Sequence, residues 1–79
     1  MSYVLRAVTR DPVYRAIVEC LDGRESGATT VEVALCLAER GVSLSENSVR
    51  SRLRTLERLG VVKSVDLRGA LVWFLARRR

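Results

Sequence analysis

The chain reads as a mainly α domain that ends in a small β-hairpin, and three observations carry that reading. Three runs repeat apolar residues at helical spacing, each behind a residue suited to cap a helix. The second and third runs are separated by only a short turn. Beyond Gly60, β-branched and aromatic residues flank a segment containing Asp and Gly. At 79 residues there is room for one domain with a marginal core.

The first helix is expected to open at Asp11-Pro12, with Asp11 as N-cap and Pro12 where its missing N–H costs nothing. Val13, Ile17, Cys20 and Leu21 follow the i, i+4, i+7, i+8 stripe, and Asp22-Gly23 ends it. Residues 24–28 (RESGA) read as a loop. Thr29 and Glu32 have the spacing of a capping box for a second helix. Its inner face is expected to be Val31, Ala34, Leu35 and Ala38, with Gly41 closing it. Val42, Ser43 and Leu44 form the turn.

Ser45 then stands where an N-cap is wanted, and Val49, Leu53, Leu56 and Gly60 follow at spacings of four, three and four. Gly60 supplies the stop, because glycine takes a left-handed position without steric cost. Residues 61–65 and 71–75 are the expected strands, with residues 66–70 (DLRGA) as the hairpin loop. Two helices joined by a short turn, the second basic outside, make a helix-turn-helix, and the following hairpin completes a winged helix-turn-helix. Residues 1–10 are ambiguous: a short helix, a strand or a partner-binding arm. The organisation is thus an arm over 1–10 that is a candidate dimer element, the winged domain over 11–76, and a basic tail over 77–79.

The third helix is the most informative element. At about 100° per residue its apolar positions leave Asn47, Ser51, Arg54 and Arg58 on the opposite face, with Arg50 at the edge. Arg and Asn are the side chains best suited to bidentate reading of guanine and adenine edges in a major groove. Charge points the same way. Residues 1–40 hold five Arg against six acids, whereas residues 41–79 hold eight Arg and one Lys against three. The net charge of +5 therefore lies entirely on the third helix, hairpin and tail, as suits a polyanionic partner.

Other classes fit poorly. No apolar run approaches the roughly 18 residues of a membrane span, and the N-terminus carries too short an apolar stretch for a secretory signal, so a cytoplasmic protein is expected. Two cysteines and no histidine are too few for a zinc site. Cys20 and Cys36 fall in apolar helical runs and are expected as buried free thiols, with a Cys20–Cys36 bridge as the alternative. With no glycine-rich phosphate loop and no nucleophile beside a base, no enzyme, cofactor or small-molecule ligand is expected.

The segments Leu44-Ser45, Ser48, Val49-Arg50-Ser51-Arg52-Leu53-Arg54, Leu56-Glu57 and Gly60-Val61-Val62 resemble the helix-turn-helix of winged-helix transcriptional regulators. The likeness is closest to prokaryotic, bacterial and archaeal, regulators of the leucine-responsive and arsenic-responsive-repressor types. Val72-Trp73-Phe74-Leu75 is similar to the wing of the latter. The resemblance covers residues 11–76 but lacks the ligand-sensing domain of the first type and the Cys or His cluster of the second.

This resemblance implies that Glu46, Asn47, Ser48, Arg50, Ser51 and Arg54 face the groove. By charge, Arg50 and Arg54 lead as candidates for base edges, followed by Asn47, with Arg58 on the same face. Ser45 and Ser48 are equally suited to capping alone. Arg52 falls nearer the buried side, where it would pair with an acid such as Glu39 or reach a phosphate from the flank. Lys63, Arg68, Arg77, Arg78 and Arg79 are candidate phosphate contacts, which set affinity and read no sequence. The expected partner is double-stranded DNA, bound by a homodimer in which Tyr3, Val4 and Leu5 contribute to the interface. The rival reading is a winged helix for protein contact, or a replication- or chromosome-associated module with little sequence preference.

Overall fold

The computed structural model describes residues 10–76. The arm apart from Arg10 and the tail residues Arg77, Arg78 and Arg79 lie outside the described residues. The order is α1 (Pro12–Asp22), β1 (Ala28–Thr29), α2 (Thr30–Glu39), α3 (Glu46–Arg58), β2 (Val62–Leu67) and β3 (Ala70–Leu75). The strands form one antiparallel sheet in the order β1-β3-β2. Three helices against a small sheet of this order form a winged helix.

Each helix starts where a side chain satisfies orphan backbone donors. Asp11 Oδ1 accepts from the N–H of Val13 at 2.9 Å, and Pro12 follows at the first helical position. Thr29 and Glu32 form a reciprocal capping box, with the Thr29 N–H donating to Glu32 Oε1 at 2.9 Å. Ser45 Oγ accepts from the Ser48 N–H at 3.1 Å. α3 closes at Gly60, whose φ of 80° lets Val61 N–H reach Leu56 O and Gly60 N–H reach Glu57 O. These two bonds satisfy carbonyls the last turn would otherwise leave open.

Ile17, Leu21, Val33, Leu37, Val49, Leu53, Leu56, Val62 and Trp73 fill the core. Trp73 is fully buried and donates its indole N–H to Thr30 Oγ1 at 2.9 Å, which ties the last strand to the start of α2. Gly27 makes the neighbouring loop possible. A Cβ there would stand 2.6 Å from Val72 Cγ1 and 2.8 Å from the Phe74 ring, at a φ of 86°.

Five sequence expectations are corrected. The inner face of α2 is Thr30, Val33 and Leu37, while Val31 and Leu35 are 48% and 60% exposed and Ala38 is exposed. Only Ala34 among the expected four packs against the core. The run TVEVALCLAE is apolar nearly all round, so its period does not choose a face; the Thr30–Trp73 bond and Cys36 do. The cysteines are not free thiols but form a Cys20–Cys36 disulfide between α1 and α2. Packing of these helices brings their Cα atoms to 6.2 Å, within bridging range.

The 24–28 loop ends early, because Ala28 and Thr29 pair with Trp73 and Val72 as a third strand. The hairpin loop contracts from five residues to two. Leu67 pairs with Ala70, and Arg68 and Gly69 take φ of 55° and 86°, the positive pair that a type I′ turn needs. Asp66 Oδ1 accepts the Gly69 N–H at 2.9 Å, which supports that tight turn. Arg52 does not pair with Glu39; its guanidinium lies 6.0 Å from the centre of the Tyr14 ring on α1.

Candidate nucleic-acid interface

α3 presents the polar face read from its sequence. Val49, Leu53 and Leu56 are fully buried, and Asn47, Ser51, Arg54 and Arg58 are exposed on the other side. Ser48 is half-buried and its hydroxyl accepts from Ser45 Oγ at 3.1 Å, so it is engaged in the cap.

The arginines of α3 divide by direction. Arg50 pairs with Glu46 at 2.9 Å and donates to Asn47 Oδ1 at 3.3 Å. It also lines a hollow of about 390 Å³ with Glu46, Thr30 and the wing-tip residues Gly69 and Ala70. Arg54 pairs with Glu57 at 3.1 Å and lies 5.3 Å from the centre of the Trp73 ring, at the root of the wing. Arg58 stays on the outer face and donates to Thr55 Oγ1 at 3.4 Å. Two of the basic residues thus lean toward the hairpin, while Asn47, Ser51 and Arg58 remain on the outward side.

Glu57 joins the helix to the wing. Its Oε1 receives Arg54 and its Oε2 accepts the Ser64 hydroxyl of β2 at 2.8 Å. The Ser64 hydrogen bond holds its carboxyl below the usual range; partial burial pushes the other way, and Arg54 adds to the lowering. Sequence reading did not single out Glu57, Ser64 or the indole of Trp73 as parts of this site. The i, i+3 spacing of Arg54 and Glu57 was a usable signal for one contact. No spacing signals the contact from Glu57 to Ser64.

The wing residues are not gathered into the same place. Arg68 stands exposed at the turn tip. Lys63 pairs across the sheet with Phe74, on the face opposite Trp73 by strand alternation. There it lines a separate hollow of about 320 Å³ with Arg24, Glu25 and Phe74. Among the described residues no helix is long and apolar enough to cross a membrane.

No curated protein matches the chain. A family model does: that of the ribonuclease R winged-helix domain, over residues 15–72. The match runs from within α1, through β1, the helix-turn-helix and β2, into the wing's last strand. A winged helix is a nucleic-acid-binding kind of domain. By fold and by sequence, then, this chain belongs to the family of ribonuclease R winged-helix domains.

Proposed function

We propose that the protein is a sequence-specific double-stranded DNA-binding protein, a small transcriptional regulator that lays α3 in the major groove. The observation that carries this reading is the outer face of α3, where Asn47, Ser51 and Arg58 are exposed opposite a fully buried apolar stripe. Arg68 at the wing tip is suited to a flanking phosphate, and the basic balance after residue 40 supplies the attractive field.

Duplex binding should weaken steeply with salt, by a slope of about −0.9 in log K against log salt for each phosphate neutralised. Gel-shift titrations at two salt concentrations, with selection of bound fragments from random DNA, test both parts. Steep salt dependence with an enriched motif supports a regulator. Binding without a motif favours a chromosome-associated module, a reading to which the internal pairing of Arg50 and Arg54 lends weight. Failure to bind duplex at low salt favours protein contact.

The functional unit in this reading is a homodimer, since one small winged helix covers few base pairs and a two-fold pair would read a palindrome. The exposed Val31 and Leu35 on α2 leave apolar surface available for a partner. Residues 3–8 of a second copy are the proposed occupant. That segment is apolar apart from Arg6, with Arg10 just beyond it, whereas Val31 and Leu35 are flanked by exposed Glu32 and Glu39. Light scattering of the intact chain and of a form lacking the first ten residues decides this. A monomeric intact chain, or a truncated form that still dimerises, overturns it.

A further inference from the structure

A guanidinium on the outer side of a recognition helix has no structural need to be tethered, yet Arg54 is held from two directions. Glu57 takes it at 3.1 Å, and the Trp73 ring lies beneath it at 5.3 Å. Glu57 is itself fixed, because its second oxygen accepts the Ser64 hydroxyl at 2.8 Å and Ser64 belongs to the wing. Both oxygens of one carboxylate are therefore used, one toward the helix and one toward the sheet. Trp73 is itself fully buried and bonded to Thr30.

We infer that Glu57 is a positioning residue. With Ser64 it holds Arg54 over Trp73, so that Arg54 sets the angle between α3 and the wing and meets phosphate, while Asn47, Ser51 and Arg58 discriminate bases. This assignment rests on the reading of α3 as the helix that faces nucleic acid. An arginine anchored at the wing root has few rotamers left for a base edge, and its charge still acts on a backbone phosphate nearby. Base edges then fall to the side chains on the outward side, which include an amide and a further guanidinium.

The test uses four single variants, Arg54→Ala, Glu57→Gln, Asn47→Ala and Arg58→Ala, each carried through selection from random duplex DNA and through titration on preferred and unrelated sequences. Arg54→Ala is expected to weaken both sequences by the same factor, while Asn47→Ala and Arg58→Ala lower the ratio between them about tenfold. Glu57→Gln is expected to weaken both by a common factor smaller than that of Arg54→Ala, because Arg54 keeps its charge but loses the anchor that aims it, and to leave the ratio between them unchanged.

A second measurement needs no DNA. Trp73 is the single tryptophan of the chain, so its emission reports the guanidinium above it. Arg54→Ala, Glu57→Gln and Ser64→Ala should shift that emission in the same direction, well below the melting temperature, with an unchanged far-ultraviolet spectrum. Loss of base preference in Arg54→Ala with Asn47→Ala and Arg58→Ala silent would overturn the assignment, as would Trp73 emission indifferent to Glu57→Gln and Ser64→Ala. A wild-type chain that binds no duplex refutes the proposed function instead, and the emission series still decides whether Glu57 holds Arg54.

Discussion

The two halves of the domain are fastened by different chemistry. α1 and α2 are joined covalently through Cys20 and Cys36, with a surface ion pair between Glu19 and Arg40 beside the bridge. α3 and the wing share no disulfide and are joined by a polar chain from Arg54 through Glu57 to Ser64, laid over Trp73. The Cys20–Cys36 bridge resists salt and fails under reduction. The polar chain is indifferent to reduction and answers to charge. A domain built this way keeps a rigid scaffold behind a face whose geometry its own acids and arginines set.

Reduction should separate the halves most sharply. Opening the Cys20–Cys36 bridge, which spans 16 residues, should cost on the order of 3 kcal/mol on the chain-entropy model. For a domain of this size that lowers Tm by roughly 10–20 °C. Thermal melts with and without reductant, and of the Cys20→Ala/Cys36→Ala form, measure it. A shift under about 3 °C would mean that packing alone holds α1 on α2.

Trp73→Phe comes next. It removes the indole N–H from Thr30 Oγ1 and leaves space beneath Arg54. A lost buried hydrogen bond together with a cavity amounts to about 2 kcal/mol. Denaturant unfolding checks the value, and a double substitution with Arg54→Ala should be non-additive because the two side chains touch.

Arg68→Asn is expected to act in the opposite direction. Arg68 occupies the left-handed region at a φ of 55°, which costs a side chain of its kind roughly 1 kcal/mol. Asn tolerates that conformation and gives the Asn-Gly pair preferred in type I′ turns, so Tm should rise by about 4–8 °C. Affinity for duplex DNA should fall at the same time if Arg68 meets a phosphate. Stability and binding would then move in opposite directions from one change in the wing.

The smallest effect concerns pH. Glu57 has its folded-state pKa lowered below the ordinary 4.5, chiefly by Ser64. Its contribution is therefore full above the unfolded value and is lost as pH falls through the folded one. Stability of the native chain should decline below about pH 4.5 more than that of Glu57→Gln, by an amount modest for a group a third exposed. Identical profiles for the two proteins would remove Glu57 from the network.

What could be read from the sequence was local. Asp11, Thr29 with Glu32, Ser45 and Gly60 act within one helical turn, and all four stand where their spacing placed them. The buried stripe of α3 was legible because its other face is strongly polar. α2 offers no such contrast, so its rotation was decided by contacts with Trp73 and Cys20, distant in sequence. β1 is two residues long, too short to show alternation. In the candidate site the residue types of α3 were legible. The leaning of Arg50 and Arg54 toward the wing was not, since it depends on Ser64, Trp73 and the wing tip.

The bond from Trp73 to Thr30 has one more consequence, for the order in which the domain assembles. It spans 43 positions, and among the described residues β1 pairs with β3 alone. A growing chain can wind α1, α2 and α3 by local contacts, but the floor of the core is missing until β3 docks. Until then the buried cluster that holds Val33, Leu37 and Leu53 lacks its indole. The step that closes this core is therefore the docking of β3, and a chain cut before Trp73 would hold helices without a finished fold.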